Sequence, residues 1–312
     1  MPFPPHTDAS MDTLRAVARR HGLPTDTVTR LPDTGIFNAI YLLGDEHILR
    51  VPRQHPAHYQ ALYYESIAVP LARSLGVCTP ALLVYDDSRD LLPVPYTLYD
   101  RVRAETLGLL GLEPDATPEV WKELGRDLAR LHSGGIRQGP GANLDERETL
   151  PDPRDLAEAL ASGGWVTGSE AAWLTQWLDR IAPVALTPVE FRLTHGDTQA
   201  TNVMVHPDSR QYLAVIDWGS AGWGDPAWDF GGVPLRAVPP LLAGHREIAS
   251  LEADETMEAR VLWRQIQLAL FTARRGPQPE HSWAERPLTM LIEIARFFYA
   301  APSGAWRELR PE

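Results

Sequence analysis

The segment Thr194-His195-Gly196-Asp197-Thr198-Gln199-Ala200-Thr201-Asn202, with Val215-Ile216-Asp217-Trp218-Gly219 downstream, holds the side chains best suited to chemistry. Two carboxylates and a carboxamide offer hard oxygen donors, the kind Mg²⁺ takes alongside substrate phosphates. A carboxylate can orient an attacking hydroxyl, and a metal can neutralise charge spreading over a transferred phosphoryl group. These residue types therefore suit phosphoryl transfer. Short apolar runs at 191–194, 203–206 and 212–216 read as strands, with a turn at Pro207-Asp208-Ser209. Antiparallel pairing of the last two runs brings Asn202 close to Asp217. One carboxylate can then hold metal with the amide, while the other faces an acceptor. A lone Asp after a strand is commonly a turn or cap residue, so the combination carries the signal.

These residues need a scaffold, and the rest of the chain supplies one. Ser10 is a candidate N-cap for a first helix with Leu14, Val17 and Ala18 on one face, closed by Gly22. Runs at 36–43 and 47–51, separated by Gly44-Asp45, predict a hairpin. Leu62, Ala68, Leu71, Ala72 and Leu75 predict a helix over about 59–75, with Gly76 at its end. Two further strands are expected at 81–85 and 95–102. Beyond them the pattern turns helical. Thr117-Pro118 opens a helix carrying Val120, Leu124, Leu128 and Leu131. A Gly- and Pro-rich surface loop spans 134–153. A Trp-rich helix covers 169–181, its Trp173 and Trp177 spaced for core packing. Amphipathic helices fill 254–299. The fold class expected is α+β: a β-rich N-terminal lobe over 1–102, a linker near 100–103, and a mainly helical C-terminal lobe over 103–312.

Composition excludes several functions. With 312 residues and 44% hydrophobic content, the chain can bury a large core. Its formal net charge of −12 lacks the basic footprint of a nucleic-acid binder. An acidic surface attracts cationic substrates, and equally serves ordinary solubility. The one cysteine, Cys78, forms no intrachain disulfide and reads as a small buried apolar residue. His55 and His58 flank Pro56 without a third metal ligand. No apolar run reaches the roughly 18 residues that span a bilayer, and the N-terminus lacks a secretory pattern. A cytoplasmic protein with no membrane partner is the expectation.

The pattern H-x-D-x-x-x-x-N followed by Asp-x-Gly resembles the catalytic loop and metal motif of kinases, here His195, Asp197, Asn202 and Asp217-Trp218-Gly219. The form His-Gly-Asp with Ile-Asp-Trp-Gly is similar to the aminoglycoside-phosphotransferase branch. So is Gly224-Asp225-Pro226-Ala227-Trp228-Asp229-Phe230. The stretch from Leu124-Gly125 to Leu131-His132 resembles the helix before that loop. Together these matches span about 121–230, with a looser likeness back to residue 31. The resemblance implies a kinase-like fold and transfer of the γ-phosphoryl of ATP or GTP to a hydroxyl of a small molecule. It makes Asp197 the catalytic aspartate and gives Mg²⁺ to Asn202 and Asp217. His195 becomes a brace, and Asp229 and Asp225 become supports of the loop. Arg50 stands where the family's lysine belongs, with Glu65 as its ion-pair partner. A guanidinium binds phosphate oxygens well but is not equivalent to an ammonium. Gly35 is the lone candidate for a phosphate-loop glycine. The stretch 96–101 becomes a hinge meeting the purine edge.

Other functions remain open. A kinase-like binding protein without turnover differs in lacking the metal and base positions, which are intact here. A protein kinase needs a long activation segment, yet only five residues separate Gly219 from Asp225. A metal-dependent hydrolase built on His195, Asp197 and Asp217 would act without nucleotide. The acceptor is open as well: an aminoglycoside, a macrolide or a metabolite, contacted from 134–170 or 231–312.

Overall fold

The computed structural model describes residues 5–7, 9–32, 37–250, 253–274, 286 and 288–312. Gly35, and Ile36 at the expected start of the hairpin, lie outside these described residues.

The N-terminal part opens with α1 (Met11–Arg20), where the Ser10 hydroxyl accepts the Thr13 N–H. Five antiparallel strands follow: β1 (Val28–Arg30), β2 (Asn38–Leu43), β3 (His47–Pro52), β4 (Leu82–Asp86) and β5 (Tyr96–Asp100). Their order in the sheet is β1-β2-β3-β5-β4, so β5 lies between β3 and β4. Gly44 turns the β2–β3 hairpin at φ +60°, a conformation that costs glycine little. Between β3 and β4 the chain inserts α2 (Pro56–Ser74), with Pro56 in its first turn. Leu14, Val17, Tyr41, Leu49, Val51 and Leu98 form the core under the sheet.

The second part begins with β6 (Glu105–Thr106) and α3 (Pro118–Gly134), then α4 (Pro153–Ser162) and α5 (Gly168–Ala185). Short strands β7 (Arg192–Thr194), β8 (Val203–Val205), β9 (Tyr212–Val215) and β10 (Gly222–Gly224) carry the polar segment. Helices α6 (Trp228–Gly231), α7 (Val238–Ile248), α8 (Met257–Ala273), α9 (Thr289–Tyr299) and α10 (Ala305–Glu308) complete it. The expected β8–β9 pairing is present, with Val203 opposite Val215. β7 pairs instead with β10, which the sequence pattern did not predict. A large core joins Leu124, Leu128, Trp218, Phe230 and Leu262 to Ile67 and Ala68 of α2. The inner face of α2 thus packs with the helical part, and Ala61 touches Gly219, where an added Cβ would lie 2.8 Å away.

Three expectations change. Trp173 is 42% exposed, its Nε1 donating to Glu312 O at 3.0 Å; only Trp177 enters the core. The C-terminal segment covers one side of α5, and Trp173 caps its edge. Cys78 is exposed, not buried. Its backbone does the anchoring, accepting from Val215 N and donating to Asp127 Oδ2 at 2.8 Å. The backbone of 96–100 pairs with β3 and β4, so the cleft-facing connection is 101–104.

α3 and α7 meet at two glycines. A Cβ at Gly125 would lie 2.0 Å from Leu241 O, and one at Gly244 would lie 1.9 Å from Lys122 O. Gly125→Ala is therefore expected to destabilise the fold by about 1–3 kcal/mol through forced separation of the helices. Urea denaturation checks this against Gly168→Ala, where no atom lies within 4 Å of the new methyl and no loss is expected.

Candidate active site

The loop between β7 and β8 is built around two buried groups. Asp229, on α6, has no solvent exposure. Its carboxylate accepts the N–H groups of His195 at 2.8 Å and Gly196 at 2.6 Å, and contacts His132 Nε2 at 3.0 Å. His132 Nδ1 in turn meets His245 Nε2 at 3.0 Å. Burial alone would push the Asp229 carboxyl up, but His132 and the loop amides hold it below its ordinary value. His195, also fully buried, accepts the Asp197 N–H on Nδ1 at 3.2 Å and contacts Ile216 O through Nε2 at 3.0 Å. Both ring nitrogens are occupied by backbone, and burial keeps the imidazole neutral. His195 is placed as a brace between the two polar loops.

Gly196 shows why that position excludes a side chain. Its φ is +85°, and a Cβ there would lie 1.7 Å from Arg147 Nη1 and 2.2 Å from Ser220 O. The turn delivers Asp197 to the cleft. Asn202 Nδ2 donates to Asp197 O at 2.8 Å and to its Oδ2 at 3.0 Å, while Gln199 Nε2 donates to Oδ1 at 3.1 Å. With its nitrogen committed to Asp197, the Asn202 amide oxygen is turned away from that carboxylate. Ile216 N donates to Asn202 O at 2.9 Å, which sets Asp217 beside Asn202. Asp217 adopts a left-handed conformation, φ 70° and ψ 64°. Few non-glycine residues do so, and such strain concentrates at working sites.

Across the cleft, β3 and α2 present an ion cluster. Arg50 Nη1 donates to Glu65 Oε1 at 2.7 Å and Oε2 at 2.8 Å, and Nη2 donates to Asp217 Oδ1 at 2.9 Å. Tyr99 Oη also donates to Glu65. Burial pushes Glu65 up to about 7 against the pull of Arg50. Arg50 overcomes the same burial effect at Asp217, whose carboxyl lies below its ordinary value. The Arg50 Nε is buried with no hydrogen-bond partner. The structure thus brings Asp197, Asn202, Asp217 and Arg50 to the lining of one cleft of about 880 Å³, with Glu65 buried behind Arg50. Among the described residues no group of three or more His, Cys, Asp or Glu side chains could hold a metal. Asp217 and Asn202 both line the cleft.

One residue of this site has no sequence signal. Arg147 lies in the 134–153 segment, expected to be a plain surface loop. It reaches Gly196 O through Nη2 at 2.9 Å and Ser220 O through Nη1, clasping both polar loops. A single arginine between acidic neighbours reads as solvated surface, and its partners are carbonyls with no residue-type signature.

Residues 28–266 match the phosphotransferase enzyme family, APH, and the chain belongs to that family. It is similar to the structure of the GDP complex of wild-type aminoglycoside 2'-phosphotransferase-IIIa, with a TM-score of 0.68 at 19% identity. That likeness covers 93% of this chain and 100% of the other. Macrolide 2'-phosphotransferase type I gives a TM-score of 0.59 at 17% identity over 93% and 98% of the two chains. These likenesses establish a kinase-like fold: a β-sheet lobe joined to a helical lobe. A segment of 186 residues is 26% identical to mouse acyl-CoA dehydrogenase family member 10, covering 55% of this chain and 17% of that protein. The chain spans less than a quarter of the curated relatives it first matches, at 17% and 23%. No helix among the described residues is long and apolar enough to cross a membrane.

Two tests follow from the buried network. Asp229→Ala strands two loop N–H groups and is expected to cost about 2–4 kcal/mol in urea denaturation. His195 and His245 are held neutral, His245 down to about 3, against an ordinary value of 6.5. The unfolded chain therefore binds more protons below pH 6.5, so stability is full above that pH and falls as pH drops toward 3. Denaturation midpoints from about pH 7.5 to 4.5 should show that slope, and His245→Leu should make it shallower.

Proposed function

We propose that this protein transfers the γ-phosphoryl group of ATP or GTP to a hydroxyl of a small molecule. The observation that carries the proposal is the convergence of Asp197–Asn202 and Arg50–Asp217 on one interlobe cleft. Asp197 orients the hydroxyl and takes its proton as oxygen attacks the γ-phosphorus. The bond to the bridging oxygen breaks, and the nucleoside diphosphate leaves. Asn202 and Asp217 hold Mg²⁺ through oxygen, a donor set that fits a hard cation sharing phosphate ligands. Bound there, the metal supplies charge neutralisation at the phosphates. Arg50 directs its unpartnered Nε to a phosphate oxygen, and Glu65 and Tyr99 hold it in place. The backbone of 101–104 meets the purine edge, and Gly35 is proposed for the phosphate loop. Relatives of this fold have been solved with GDP and with ADP, which supports a nucleotide in this cleft.

A second reading has one observation in its favour. Arg50 already occupies an oxygen of Asp217, the carboxylate assigned to metal, so a nucleotide-binding protein without turnover fits this cluster too. Asp197→Asn separates the two. Under the proposed function it lowers kcat by about 10²–10⁴-fold with nucleotide KM little changed. A coupled assay of Mg²⁺-dependent nucleoside diphosphate release, with ATP and GTP run separately across hydroxyl acceptors, measures it. Wild-type release that no acceptor stimulates and that Asp197→Asn leaves unchanged would favour the silent reading.

A further inference from the structure

The cleft wall beside Asp197 is cationic and apolar. Arg147 and Arg264 share one indole, their guanidinium carbons 4.9 and 4.7 Å from the Trp228 centroid. Arg147 spends Nη1 and Nη2 on backbone carbonyls, and its Nε is buried with no hydrogen-bond partner. Arg264 donates only to the neutral Gln267 Oε1, at 2.8 Å. Among the described residues neither guanidinium forms an ion pair with a carboxylate. Arg236, Arg246 and Arg260 in the same part of the chain all do.

Two neighbouring guanidiniums, half-buried and in no direct ion pair, keep donor capacity that an anion can take up. Burial pushes both guanidiniums below their ordinary value; Asp225 offsets part of this at Arg264, where Arg147 adds to it, and Asp229 and Asp197 offset part of it at Arg147. Leu150, Leu268 and Phe271 line the same cleft, as does the Asp197 carboxylate. The chain's overall negative charge favours cations only at long range, where salt screens it. Contacts at the wall decide what is held there.

We infer that this wall is the acceptor subsite, and that the acceptor carries a carboxylate or phosphate group attached to an apolar portion. Arg264 and the Arg147 Nε bind the anion, the aliphatic and aromatic side chains cover the apolar portion, and the hydroxyl is left at Asp197. The fate of that hydroxyl rests on the phosphotransfer proposed above; the anion preference does not.

Calorimetric binding, with Mg²⁺ and a non-hydrolysable ATP or GTP analogue present, tests this. The probes are hydroxyalkyl carboxylates of short, medium and long chain, the matching monophosphates, and for each the neutral amide and the amine. One anion series should bind at least about ten-fold tighter than its amide and amine, as a charge-assisted contact predicts. The carboxylate and phosphate arms identify which anion is preferred. Arg264→Gln should erase the preference and Arg264→Lys keep part of it, with nucleotide affinity unchanged and the variants folded by circular dichroism. Equal or tighter binding of amides or amines overturns the inference. So does an absence of binding by every anion, or a preference that survives Arg264→Gln. Anion binding here, with no diphosphate release stimulated by the same compounds when ATP or GTP replaces the analogue in the coupled assay, would sink the phosphotransfer reading and leave this subsite standing.

Discussion

One buried carboxylate organises the candidate site. Asp229 accepts two successive backbone N–H groups, so the His195–Gly196 peptide is fixed before any substrate arrives. A carboxylate removed from water is costly unless its oxygens are satisfied, and here the loop amides and His132 satisfy them. The constraint passes outward in both directions. His132 and His245 join α3 to α7, while the fixed Gly196 sets the direction in which Asp197 leaves the turn. Burial keeps His195 of the loop and His245 of α7 neutral beside this buried carboxylate.

The second organising contact crosses the lobes. Arg50 lies between Glu65 on α2 and Asp217 on the helical side, so one guanidinium links the sheet, the inserted helix and the polar loop. The packing of α2 against both cores explains how that link is kept in register. A nucleotide phosphate and Mg²⁺ entering this cluster would compete for Arg50 and Asp217, so binding would exchange one set of charge contacts for another. On the opposite wall Arg147 and Arg264 stack on Trp228 and form no ion pair among the described residues.

Local signals make much of this legible in the sequence. The polar segments 194–202 and 215–219 combine residue types that local strands and a turn force together. Ser10, Gly44 and Gly76 mark element ends because caps and left-handed turns have few chemical solutions. What depends on distant backbone stays hidden. Arg147 acts through the carbonyls of Gly196 and Ser220, and carbonyls carry no residue identity. α7 begins Val238-Pro239-Pro240, which looks like a loop although prolines are tolerated in a first turn. Trp173 has core-like spacing but is covered only at its edge by the C-terminal segment. β10 is too short, with two glycines in three residues, to show a strand pattern.

Phosphorus NMR of the complete reaction tests the central claim most directly. With Mg²⁺, nucleotide and a hydroxylated acceptor, phosphoryl transfer predicts loss of the γ resonance and a new phosphate monoester on the acceptor, in equal amounts. Release of inorganic phosphate alone, or loss of acceptor without nucleotide, would contradict phosphoryl transfer to a hydroxyl at Asp197.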